Sequence, residues 1–87
     1  MLGKTKLRIL QIIANSSKHG YALSKDTGIS ISSIYDHLNE LEKLGLIEVK
    51  ANGRRKSYSL TENGKLFLKV IKTNISDKRD KEMKQKQ

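Results

Sequence analysis

A chain of 87 residues supports one domain that buries about 60–65% of its unfolded surface, which leaves no room for a second core or a deep catalytic cleft. With no cysteine, neither a disulfide framework nor a thiolate metal site compensates for the small core, and no run approaches the roughly 20 apolar residues of a membrane span. The formal net charge of +9 points instead to a polyanionic partner, because clustered Lys and Arg release counterions from phosphate.

Leu7, Leu10, Ile13 and Ala14 fall on one face of a helix predicted from about Thr5 to Ser16, and Ile9 and Ile12 fall on the opposite face. A helix apolar on two faces is buried on both, so the second face is expected to need a partner outside the domain. Lys18-His19-Gly20 breaks the pattern, with His19 expected to make a structural hydrogen bond at the turn. A short helix from about Tyr21 to Thr27 then ends at Gly28, a residue suited to the left-handed position after a helix. Ser30 is the predicted N-cap of a helix running to Leu44, with Ile31, Ile34, Leu38 and Leu41 as its buried stripe and Gly45-Leu46 as its stop.

The period then changes from helical to alternating. Ile47 and Val49 alternate with Glu48 and Lys50, and Tyr58 and Leu60 alternate with Ser57 and Ser59. Asn52-Gly53 reads as the two-residue turn of a hairpin, which places Ile47 opposite Tyr58, Val49 opposite Lys56 and Lys50 opposite Arg55. Thr61 can cap a last helix carrying Leu66, Phe67, Leu68, Val70, Ile71 and Ile75, whose apolar arc of about 200° is wider than one domain is expected to cover. Residues 1–75 form the predicted domain, and the charged segment 76–87 is expected to be frayed or disordered.

The fold class is therefore mainly α with a small β-hairpin: three helices, a basic hairpin and a fourth helix, the order of a winged helix-turn-helix with an added C-terminal helix. The charge distribution agrees. Residues 1–20 carry +4, 21–45 carry −2, 46–60 carry +3 and 61–87 carry +4, so basic segments flank a mildly acidic middle. The apolar residues of the first segment are interrupted by Arg8 and Gln11 and no cleavage site follows, so a cytoplasmic location is expected.

The candidate sites follow from this order. The outer face of the third helix presents Ser32, Ser33, Asp36, Asn39, Glu40 and Lys43, with Tyr35 and His37 at its margins, and a helix of this length enters a major groove. The plainer alternative is an ordinary polar face. Asp36 and Glu40 repel phosphate, so affinity is expected to come from cations elsewhere. Lys50, Asn52, Gly53, Arg54, Arg55 and Lys56 form a basic wing suited to the DNA backbone or a narrow minor groove; three consecutive basic residues exceed what protection of a hairpin edge requires. Ile9, Ile12, Phe67, Leu68, Ile71 and Ile75 are the predicted dimerisation surface. Two histidines without cysteine give no metal-ligand spacing, Ser33, Asp36 and His37 form no oriented triad, and the glycines form no phosphate-binding loop, so no metal, cofactor or enzymatic activity is expected.

The segments HGYALSK at 19–25, ISISSIYDHLNELEKLGLIE at 29–48 and RRKSYSLTENGK at 54–65 resemble the PadR family of repressors, and more loosely the MarR and ArsR families. Ser30, Ile34-Tyr35, Leu38, Leu41, Gly45-Leu46-Ile47, Arg54-Arg55 and Leu60-Thr61-Glu62 with Gly64 occupy the family's places, while Ile31-Ser32 stands where the family often has Pro-Gly. The resemblance implies a homodimeric, sequence-specific repressor of double-stranded DNA whose C-terminal helix helps dimerisation, without a separate effector domain; any small-molecule effector stays unspecified. Two other readings fit the charge: an architectural protein that coats DNA with little sequence preference, and a winged-helix module that binds other proteins.

Overall fold

The structure, a computed structural model, describes residues 2–71. In chain order it contains α1 (Lys4–Asn15), β1 (Lys18–His19), α2 (Gly20–Thr27), α3 (Ile31–Lys43), β2 (Ile47–Asn52) and β3 (Arg55–Leu60), followed by a helix, α4, over 62–71. The three strands form one antiparallel sheet in the order β1-β3-β2. This is the winged helix-turn-helix architecture with a C-terminal helix. The expectations for Ile75 and for residues 76–87 lie outside the described residues.

Local chemistry sets the helix ends. The Ser30 hydroxyl accepts from the Ser33 amide at 3.3 Å and so satisfies a free donor of the first turn of α3. At the other end the Leu46 amide donates to the Leu41 carbonyl and the Gly45 amide to the Glu42 carbonyl, with Gly45 at φ 76°. These two bonds define a Schellman stop, and its left-handed residue favours glycine. Thr61 caps α4 by accepting from the Gly64 amide at 3.0 Å.

Ile9, Leu10, Ile13, Leu23, Ile34, Leu38, Leu41, Leu46, Ile47, Tyr58, Leu60 and Leu68 form the core. Two residues depart from the helical patterns. Ile9 is fully buried within the domain although it lies opposite Leu7 and Ala14, because α1 packs against α2, α3 and β3 and is enclosed from both sides. Ile31, at the first turn of α3, is 41% exposed and does not belong to the buried stripe.

The hairpin is also shifted. Asn52 pairs with Arg55, so Gly53-Arg54 and not Asn52-Gly53 forms the turn, with Gly53 at φ 65° and no positive φ at Arg54. Glycine in the first central position with that combination of signs is the pattern of a type II′ turn. Val49 therefore opposes Tyr58, Ile47 opposes Leu60, and Lys50 opposes Ser57 rather than Arg55. The slide is by two residues, which keeps every side chain on its predicted face. The strand β1 is an element the periodicity did not reveal, since two residues carry no period.

Candidate nucleic-acid interface

On α3, Ser32, Asp36, Asn39 and Lys43 recur at spacings of four, three and four residues and are all exposed, forming one polar stripe. Ser33 and His37 are half-buried on one margin of it. The Ser33 hydroxyl accepts from the Ser30 hydroxyl at 3.1 Å, so the cap also orients a predicted base-reading group. Glu40, on the same margin, meets Lys6 of α1 at 2.8 Å. The hydrogen bond and charge of Lys6 hold its carboxyl below the usual carboxylate range. Lys6 thus offsets one of the three acidic groups of the helix, and Asp36 is left as the exposed carboxylate among the stripe residues.

Tyr35 occupies the opposite margin and is 38% exposed. Its ring stands edge-on to Tyr58 of β3, centroids 6.5 Å apart at 61°. A Cβ on Gly20 would come within 2.7 Å of the Tyr35 ring, so only glycine at the start of α2 lets this tyrosine lie there. Burial pushes the Tyr58 phenol above its ordinary pKa, with Tyr35 and then Glu42 adding to the shift.

A cleft of about 390 Å³ opens beside Tyr35, lined by residues 19–22 and by Arg54, Arg55 and Lys56 of the wing. Gly53 through Lys56 are exposed, as is Lys50. Among the described residues Lys43, Lys50, Arg54, Arg55 and Lys56 form no ion pair, whereas Lys6, Lys18 and Lys65 do. The wing, one margin of α3 and the start of α2 therefore surround a single open, positively charged depression. No three or more His, Asp or Glu residues cluster as metal ligands among the described residues, and no described helix is long and apolar enough to cross a membrane.

The sequence profile described as "Transcriptional regulator PadR-like family" matches residues 9–70 and so spans the helix-turn-helix, the wing and most of described α4. The chain belongs to the PadR-like family of transcriptional regulators. It is thereby a regulator and not an enzyme. A solved PadR family transcription regulator from hypervirulent Clostridium difficile R20291 is 27% identical, with 90% of this chain and 93% of that one covered at a TM-score of 0.77. Two further structures share the fold. The homodimeric winged helix-turn-helix DNA-binding domain of Mb0332 from Mycobacterium bovis, a possible ArsR-family regulator, is 23% identical over 86% of this chain and 69% of that one, with a TM-score of 0.74. Streptococcus pneumoniae FabT in complex with DNA is 20% identical over 92% of this chain and 59% of that one, with a TM-score of 0.82. No curated protein matches.

Within this PadR-like chain, the residues predicted for dimerisation separate into two groups. Ile9 and Leu68 are buried in the domain's own core and cannot form an exposed surface. Ile12 and Phe67 are half-buried against that core, and Ile71 is half-buried. The exposed large apolar residues of α4 are instead Leu66 at 58% and Val70 at 60%, one turn apart, and Leu44 just after α3 is 57% exposed. Sequence reasoning also missed Gly20, Tyr21 and Ala22 as lining of the cleft. The His-Gly-Tyr segment was the available signal, but its meaning depends on which residues the fold sets opposite it.

Proposed function

We propose that the chain is a homodimeric repressor that binds double-stranded DNA in a sequence-specific way, reading the major groove with α3 and gripping the backbone or the minor groove with the wing. The observation that carries this reading is the cationic tip, Arg54, Arg55 and Lys56, which forms no ion pair among the described residues and shares one cleft with Tyr35 of α3. Exposed cations at a hairpin tip can replace the counterions of phosphate, while the stripe of Ser32, Asp36, Asn39 and Lys43 offers donors and acceptors to base edges. FabT, which shares the fold, is seen with DNA, and the similar Mb0332 domain is homodimeric.

Selection of bound fragments from random duplex DNA tests the reading. A regulator prefers its operator by at least about a thousandfold over random sequence at physiological salt, and an architectural protein does not. Ser33→Ala and Asn39→Ala are expected to relax the selected motif at one or two positions each, at about 1–3 kcal/mol for each base no longer read. Selected motifs identical to wild type for both variants would remove α3 from the major groove.

Leu66 and Val70 support the dimer, because two large, mostly exposed apolar side chains one turn apart on a helix offer a second copy apolar surface to bury. A two-fold arrangement would set two copies of α3 about 34–36 Å apart and favour an inverted-repeat operator. Sedimentation equilibrium is expected to give the mass of two chains for the wild type and of one folded chain for Leu66→Glu with Val70→Glu. A wild-type mass of a single chain at micromolar concentration rejects the dimer.

A further inference from the structure

His19 is the residue before α2, the position where Ser, Thr, Asp or Asn ordinarily caps a helix, yet its side chain makes no cap bond. The ring instead reaches 37 residues along the chain, its Nδ1 lying 2.9 Å from the carbonyl oxygen of Lys56 in the wing. A carbonyl only accepts, so the ring donates through Nδ1–H, as both the matching neutral tautomer and the cation do.

The register explains what this bond replaces. β1 pairs Lys18 with Tyr58 and His19 with Ser57, and one further step would set residue 20 against Lys56. There the chain turns into α2, and the His19 side chain takes the place of the missing strand residue. Beyond this point the hairpin has only its own two-stranded ladder, from Ala51↔Lys56 to Asn52↔Arg55. Two strands alone are marginal in water, so the direction of the tip depends on its last tie to the body. That tie lies next to Arg54 and Arg55, on the wall of the same cleft.

From this geometry we infer that His19 is a positioning residue for DNA binding: it latches the wing to the helix-turn-helix and so sets where Arg54 and Arg55 meet the phosphate backbone. The inference rests on the DNA-binding reading proposed above. His19 acts through the wing and not as a phosphate contact of its own, and this distinguishes it from the cations beside it.

A double-mutant cycle on the full chain tests it, using the selected operator and a salt titration. In the wild-type background His19→Leu and His19→Ala are expected to weaken binding about tenfold, as loss of one well-placed hydrogen bond does, and to lower the slope of log affinity against log salt while leaving the selected motif unchanged. His19→Asn, whose amide nitrogen can occupy the place of Nδ1, restores affinity and slope. In an Arg54→Ala, Arg55→Ala background the same His19 substitutions change affinity less than about twofold, because nothing remains for the latch to position. Full additivity in that background overturns the latch and makes His19 an independent contact. Failure of both donorless variants to fold also overturns it, by showing that His19 supports the whole domain. A wild type that binds no duplex overturns the DNA-binding reading and the latch together, whereas binding that depends on the wing but is indifferent to His19 overturns the latch alone.

Discussion

Gly64→Ala is expected to lower folding stability by about 3 kcal/mol, read as a fall in the urea midpoint with the slope retained. A Cβ at this position would overlap the carbonyl oxygen of Leu46, a backbone atom that cannot rotate aside. The same carbonyl accepts from the Thr61 amide at 3.1 Å, and the Thr61 hydroxyl donates to the Gly45 carbonyl at 2.5 Å. To admit the methyl group α4 must withdraw, giving up both bonds at about 1 kcal/mol each and loosening Leu68 in the core. Alanine's better helix propensity returns only about 1 kcal/mol, so the steric cost dominates. Gly28→Ala is the control. A Cβ there meets nothing within 4 Å and faces only the strain of φ 75°, worth about 1–2 kcal/mol. A Gly64→Ala protein less than about 1 kcal/mol below wild type would mean that α4 is not docked on Leu46 in this way.

Arg54→Ala with Arg55→Ala is expected to weaken binding to all duplexes by roughly a hundredfold at low salt, with the selected motif unchanged. Neither arginine has an intramolecular partner among the described residues, so the substitutions remove no ion pair there and thermal stability stays near wild type. The salt dependence carries the mechanism: its log–log slope should fall by about 0.9 for each phosphate that is no longer neutralised. A weaker affinity with an unchanged slope would place the arginines on bases instead of phosphates. An unchanged affinity would favour a winged helix that binds protein.

Features whose causes lie within a few residues were legible in the chain alone. Ser30 caps α3 because its hydroxyl reaches an amide three residues on, and Gly28 and Gly45 stop helices because each adopts a positive φ next to the turn it closes. Periods of 3.6 and 2 separated the helices from the hairpin, the order of elements led to the winged fold, and the residues of segments 19–25, 29–48 and 54–65 carried the resemblance to the family. The basic wing was equally legible, because Arg54, Arg55 and Lys56 are consecutive. Whatever depends on residues distant in the chain waited for the packed fold. An alternating pattern cannot distinguish registers two residues apart, and the pairing of Val49 with Tyr58 goes with the turn closing at Gly53-Arg54 and not at Asn52-Gly53. The apolar surplus of α1 told of burial on two sides but not of what covers them. Ile9 is enclosed by its own domain, because α2, α3 and β3 all close on one short helix. The cleft joins residues 19–22, 35 and 54–56, and the His19 latch spans 37 positions. Their chemistry comes from a juxtaposition that forms only when the sheet and the helices pack, and no local pattern encodes it.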